Sequence, residues 1–102
     1  MYRAGDEREE ADALQTLDRA ADRLELNGEV RSIARELYLS RGPVEERSKD
    51  SLLAASLYAA SLIAGQRRAQ TEVAQAIDVS RLSIQSRWRE LLEDAGFEPP
   101  EW

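Results

Sequence analysis

Five arginines lie close together in the last third of this chain. Between Gln66 and Arg89 they are accompanied only by the acids Glu72 and Asp78, which leaves a local charge of +3 in a chain of net charge −6. Clustered guanidinium groups can bind the phosphates of a nucleic acid, and neighbouring side chains can then contact base edges. The residues expected to contact DNA are Arg67, Arg68, Ser80, Arg81, Leu82, Gln85, Ser86, Arg87 and Arg89.

Different chemistry is expected from different members of this set. The Gln85 amide can make a bidentate contact to adenine, and Leu82 can pack on a thymine methyl group. Arg67 and Arg68 can hold phosphates at the start of the segment. These roles are hypotheses based on residue type and spacing.

The composition argues against an enzyme. The chain has no His and no Cys, so it lacks a histidine base, a thiolate nucleophile and the usual zinc ligands. It also has no glycine-rich phosphate loop, and its carboxylates are spread along the sequence. We expect no catalytic site, no metal and no cofactor.

The charge balance predicts the salt concentration around the protein, and the hydropathy predicts its cellular location. Twenty acidic residues oppose fourteen basic ones, and Lys49 is the only lysine. An acidic surface of this kind stays hydrated in concentrated salt, so a halophilic source is a hypothesis. The polar N-terminus is unlike a signal peptide, and no apolar run reaches the ~20 residues of a membrane span. We expect a cytoplasmic protein.

The elements that would position the arginines are all helices. Residues 1–10 form a charged lead-in, and apolar residues then recur at three and four residue spacing, predicting helices over about 11–26 and 29–40. From Leu52 to Ala64 there is no charge at all, which predicts a helix surrounded by protein on every side. Asp50 or Ser51 is its expected N-cap, and Gly65 its left-handed terminus.

The segment 70–91 has the pattern of a helix-turn-helix. Ala74 allows two helices to cross closely, the apolar residues Ile77, Val79 and Ile84 lie between them, and Asp78 occupies a turn that needs positive φ. Ser80 would cap a last helix over about 80–94. Its expected buried stripe consists of Ile84, Trp88, Leu91 and Ala95.

Several alternatives remain open from the residues alone. The helix-turn-helix either contacts DNA or merely completes a helical bundle. Trp88 either packs in the core or stacks on bases, and Trp102, in the tail 96–102, either docks on the domain or meets a partner. A cyclin-like protein-interaction module without direct DNA binding is the second interpretation, and the excess of acid favours it. Whether the protein is a monomer or a homodimer also stays open.

Three segments together resemble a known family. They are LDRAADRLELNGEVRSIARELYLSRG, SLLAASLYAASLIAG and VSRLSIQSRWRELLE, from residues 17–42, 51–65 and 79–93. They are similar to the second cyclin repeat of archaeal, haloarchaeal-like transcription initiation factor IIB. The resemblance implies an all-α, five-helix cyclin-like domain over residues 11–95, with a C-terminal helix-turn-helix.

The resemblance also implies a function and partners. In that family the second repeat binds promoter DNA next to the TATA box, through the positions of Leu82 and Gln85, and the repeats bind TATA-binding protein. The family often has Arg where Gln85 stands, so base preference is not transferred. One repeat and no Cys-rich zinc ribbon are present, so we expect a transcription regulator rather than a complete initiation factor.

Overall fold

A computed structural model describes residues 4–40 and 48–99, and every element in those ranges is helical. The helices are α1 (Ala4–Arg23), α2 (Gly28–Ser40), α3 (Lys49–Ile63), α4 (Gln70–Ile77), α5 (Arg81–Gln85) and α6 (Trp88–Asp94). The predicted all-α, cyclin-like class is confirmed, and the fifth predicted helix consists of the two segments α5 and α6. Residues 1–3, the 41–47 connection and the tail residues 100–102, with Trp102, lie outside the described residues.

Helix α3 is the centre of the fold. Residues 52–61 are all buried, and α3 packs against each of the other five helices. Its alanines and serines allow close approach from several directions, as the uncharged run that starts at Leu52 predicts. Within the described ranges, no helix combines the length and the hydropathy that a membrane span requires.

Two helix starts differ from the prediction. Helix α1 begins at Ala4, so helix extends into the segment expected to be a charged lead-in. Over residues 4–10, Ala4, Arg8 and three glutamates favour helix, but apolar residues do not recur there, so periodicity missed this part of α1. Helix α3 has Ser48 as its N-cap residue, ahead of the expected Asp50 or Ser51, and Asp50 lies in the first turn.

Four helix ends share one arrangement. A residue with positive φ follows the helix, and the next N–H donates to a carbonyl oxygen five residues back, which closes the last turn. The pairs are Leu26 to Ala21, Gln66 to Ser61, Val79 to Ala74 and Phe97 to Leu92, at 2.8 to 2.9 Å. The positive-φ residues are Glu25, Gly65, Asp78 and Gly96.

Candidate nucleic-acid interface

Helices α4 and α5 form the predicted helix-turn-helix. Ala74, Ile77 and Ile84 are buried, Val79 is half-buried, and Asp78 has φ 68° and ψ 51° between the helices. An Asp tolerates this left-handed conformation better than most residues. The expected register of apolar residues and the expected role of Asp78 are therefore both confirmed.

The outer side of α5 carries three different side chains. Arg81, Leu82 and Gln85 are exposed, and Leu82 has 67% of its surface accessible. Among the described residues, none forms a hydrogen bond or ion pair with the side chain of Arg81 or Gln85. We call Arg81, Leu82, Gln85 and Ser86 the α5 face. It presents a cation, an aliphatic group, an amide and a hydroxyl together.

The serines flanking α5 interact within the helix. Ser80 stands at the N-cap position as predicted, but its side chain makes no cap hydrogen bond. Its Oγ lies 3.5 Å from the Oγ of Ser83. The Ser86 hydroxyl donates to the Ser83 carbonyl oxygen at 3.2 Å. Ser86 in the α5 face and Ser80 beside it are both exposed.

The expectation of one continuous helix over 80–94 is wrong. Helix α5 ends at Gln85 and α6 begins at Trp88, with Arg87 at φ −124° and ψ −26° between them. The Arg87 N–H donates to Ile84, three residues back, which tightens the turn. The Ser86 hydroxyl bond to a backbone carbonyl also favours a bend there.

The divided helix changes the buried stripe. Ile84, Trp88 and Leu91 are buried as predicted, whereas Ala95 is exposed and Leu92 takes the next core position. Ala95 follows the last turn of α6. It therefore lies beyond the stretch in which the helical period holds.

Trp88 belongs to the core. It is buried, and its ring meets the ring of Tyr58, which is also buried. The interpretation that Trp88 stacks on bases is therefore wrong, because its faces are already covered. The guanidinium carbon of Arg89 lies 4.9 Å from the centre of the Trp88 ring, a cation–π contact. Arg89 is exposed and Arg87 half-buried.

Arg68 is held by backbone carbonyl groups. Its Nε donates to Leu24 at 3.0 Å and its Nη2 to Glu25 at 3.4 Å, where α1 ends. Its Nη1 donates to Gln66 and Arg67 at 3.1 and 3.2 Å. A cation at a helix C-terminus is favourable. Arg68 therefore joins α1 to the start of the helix-turn-helix, while its neighbour Arg67 is exposed.

Two supporting side chains were missed from the sequence. The Asn27 N–H donates to Oε1 of Gln66 at 3.1 Å, and the Ala69 N–H donates to Oε1 of Glu72 at 3.0 Å. The position of Glu72, three residues after the N-cap, is a recognised capping signal. The partner of Gln66 is 39 residues away in the chain, so no local signal exists for it.

Acidic side chains elsewhere in the described residues form ion pairs with α2 rather than a candidate metal site. No group of three or more acidic, His or Cys side chains among them is placed to hold a metal ion. The ion pairs Arg31–Asp22 and Arg35–Asp18 join α2 to α1 and leave the helix-turn-helix untouched. Neither ion pair uses a residue of the α5 face.

The arrangement of helices has a counterpart in a known family. Residues 6–94 match the family model described as the transcription factor TFIIB repeat. The chain belongs to the TFIIB repeat family. The match includes all of α2 to α6 and most of α1, so it covers both the buried α3 and the helix-turn-helix.

Individual members of the TFIIB family are similar over the same region. Transcription initiation factor IIB of Pyrococcus abyssi is 37% identical over 87 residues, which is 82% of this chain and 29% of the relative. Transcription initiation factor IIB 3 of Halobacterium salinarum is 36% identical over 89 residues, 84% of this chain and 28% of the relative.

A third relative matches this chain over most of its own length. Transcription initiation factor IIB of Haloarcula vallismortis is 35% identical over 92 residues, 87% of this chain and 81% of that sequence. The chain spans less than a third of the length of the Pyrococcus and Halobacterium proteins. The chain is therefore related to archaeal initiation factor IIB, haloarchaeal members included.

Proposed function

We propose that this chain is a transcription regulator that binds double-stranded DNA by placing the α5 face in the major groove. The observation that carries the proposal is the exposure of Leu82 between Arg81 and Gln85, whose polar groups have no partner among the described residues. An aliphatic side chain that is two-thirds exposed gains free energy when a contact buries it. Beside it, the Arg81 cation can bind a DNA phosphate and the Gln85 amide can pair with a base edge.

The helix-turn-helix holds the α5 face in place before DNA arrives. Ile84 on the inner side of α5 and Trp88 just after it are both buried, which fixes how α5 is rotated. Gln85 would then pair with adenine and Leu82 would pack on a thymine methyl group. Arg81 would bind a phosphate or a guanine edge. The helix that carries the α5 face therefore needs little further ordering when it binds DNA.

Phosphate contacts would come from arginines around this face. Arg67 and Arg89 are exposed and Arg87 is half-buried, so all three belong to the proposal. Arg68 is the weakest candidate, because its guanidinium already donates to four carbonyl groups. Contacts of this kind make binding strongly dependent on salt.

The negative charge of the rest of the chain repels DNA. Outside residues 66–89 the net charge is −9, since the whole chain carries −6 and that segment +3. We expect weak binding by the chain alone and tighter binding beside a protein partner. TATA-binding protein is the proposed partner, on the strength of the resemblance to initiation factor IIB.

Fluorescence anisotropy tests the proposal. A labelled promoter duplex is titrated with the chain over a series of KCl concentrations, with and without TATA-binding protein. The double variant Arg81→Ala, Gln85→Ala is compared with Gln15→Ala, Arg19→Ala, which removes the same two residue types, also exposed and four residues apart, from α1. We expect at least a tenfold loss for the first variant and no loss for the control.

The opposite result would favour the second interpretation, a protein-interaction module without direct DNA binding. If no DNA binding occurs under any condition, or if both double variants bind as well as the unmodified chain, the α5 face is not a DNA-reading surface. The domain would then be a protein-interaction module. Circular dichroism of both variants must show unchanged helix content for the comparison to count.

A further inference from the structure

An apolar groove of about 380 Å³ lies away from the α5 face, between α2, the end of α3, and α6. Its apolar lining consists of Ile33, Leu37, Ile63, Leu91, Ala95 and Phe97. None of the α5-face residues contributes to it. A cavity of this size is within the range that holds a small ligand or a few side chains.

Phe97 forms one wall and is held in an exposed position. Gly96 has φ 88°, and the Phe97 N–H donates to the Leu92 carbonyl oxygen at 2.9 Å. The backbone of Phe97 is thereby tied to α6, yet 47% of the residue is accessible. Large apolar side chains kept in water next to a concave apolar surface are typical of binding sites.

The ionisable residues that line the groove are both acidic. Glu36 on α2 and Asp94 on α6 line it, and the described lining contains no Lys or Arg. Ser40 also lines it, but its hydroxyl donates to the Leu37 carbonyl oxygen at 2.9 Å. An occupant therefore meets an apolar floor bordered by carboxylates, and charge complementarity favours one that carries positive charge.

We propose that this groove binds a segment of a partner protein that inserts a large apolar side chain and places Arg or Lys beside Glu36. An amphipathic helix with a basic edge meets both requirements, since grooves of this kind accept the apolar face of such a helix. The inference is independent of DNA binding, because the groove is lined by α2, the end of α3, α6 and Phe97 and by no residue of the α5 face.

Peptide titration tests the groove directly. The probes are three fluorescein-labelled helical peptides of the same alanine-based sequence: one with Leu flanked by Arg, one with Glu in place of Arg, and one with Ala in place of Leu. We expect the first peptide to bind at least tenfold more tightly than the other two. In ¹⁵N spectra its binding should shift the amide signals of Ile33, Leu37 and Phe97.

Matched variants of the protein locate the site. Glu36→Gln should weaken binding of the basic peptide severalfold, whereas Glu29→Gln, the same change at another exposed position on α2, should not. Phe97→Ala should weaken it at least tenfold, and Leu82→Ala, which removes an exposed apolar side chain from α5, should leave it unchanged. Both target residues are exposed, so these variants should keep the fold.

Four results would overturn the proposal. They are absence of binding by the basic peptide, equal binding of the three peptides, signal shifts confined to residues outside the groove, and equal effects of the target and control variants. A dimer that Phe97→Ala dissociates would instead make the groove a contact between two copies. Binding that appears only after residues 100–102 are removed would assign the groove to the chain's own C-terminus.

Discussion

The ring of Trp88 meets the ring of Tyr58 edge to face in the core, with the centroids 5.4 Å apart and the planes at 83°. This pair joins α6, which follows the helix-turn-helix, to the central helix α3. Edge-to-face pairs contribute about 0.5–1.5 kcal/mol beyond the area that they bury. The orientation of the α5 face therefore depends on an aromatic contact behind it.

Replacement of this pair should cost stability in a coupled way. Trp88→Ala should lower the free energy of unfolding by about 3–5 kcal/mol, because it leaves a large cavity. In a double-mutant cycle of Tyr58→Leu and Trp88→Leu, urea denaturation should show a coupling of about 0.5–1.5 kcal/mol. Strictly additive effects would mean that the ring geometry contributes nothing beyond burial.

The two buried serines of α3 should respond differently to alanine. Among the described residues, the Ser56 hydroxyl is buried without a hydrogen-bond partner, whereas the Ser61 hydroxyl donates to the Tyr58 carbonyl oxygen at 2.7 Å. Ser56→Ala should therefore stabilise the domain by about 1 kcal/mol, since an unsatisfied polar group is removed. Ser61→Ala should give a smaller or opposite change. Thermal denaturation that ranks them the other way would contradict this.

Glycine should have opposite effects at two neighbouring positions. Asp78→Gly should stabilise the domain by about 0.5 kcal/mol, because Asp78 has φ 68° and glycine adopts that conformation without strain. Gln75→Gly, at an exposed position inside α4, should destabilise it by about 0.5–1 kcal/mol. Urea midpoints measure both. A loss of stability in Asp78→Gly would show that the turn is not strained.

Arg68 should matter more for folding than for DNA affinity. Arg68→Ala removes the bonds to Leu24 and Glu25 and should lower the unfolding free energy by about 1–2 kcal/mol. Arg68→Lys should not restore it, since an ammonium group cannot span several carbonyls as a guanidinium does. Arg81→Ala, exposed on α5, is the control and should change stability by less than ~0.5 kcal/mol. Equal stability of the Arg68 and Arg81 variants would contradict this role.

The proposed function predicts that Gln85 determines the base that the α5 face prefers. Gln85→Arg should shift the preference at one position from adenine to guanine, with about 1–3 kcal/mol of discrimination, because Arg pairs bidentately with guanine. Competition with duplexes that differ at single positions measures this shift. A uniform rise in affinity for every duplex would mean that residue 85 contacts only phosphates.

Local patterns in the sequence determined the helices and the inner side of the helix-turn-helix. The uncharged run in α3, the left-handed Asp78 and the burial of Ala74, Ile77 and Ile84 follow from residue type and helical period, and these act within a few residues. The exposure of Arg81, Leu82 and Gln85 follows from the same period. The match to the family model covers residues 6–94, which include these elements.

Tertiary structure decided the features that depend on residues far apart in the chain. Arg68 bonds to carbonyls 43 and 44 residues away, so its sequence neighbours gave no indication that it supports the fold. The groove brings together Ile33 on α2 and Phe97 after α6, which are far apart in the chain. The break at Arg87 arises where local hydrogen bonds of Ser86 and the burial of Trp88 act together. Such outcomes depend on which helices meet, and periodicity along one helix carries no information about that.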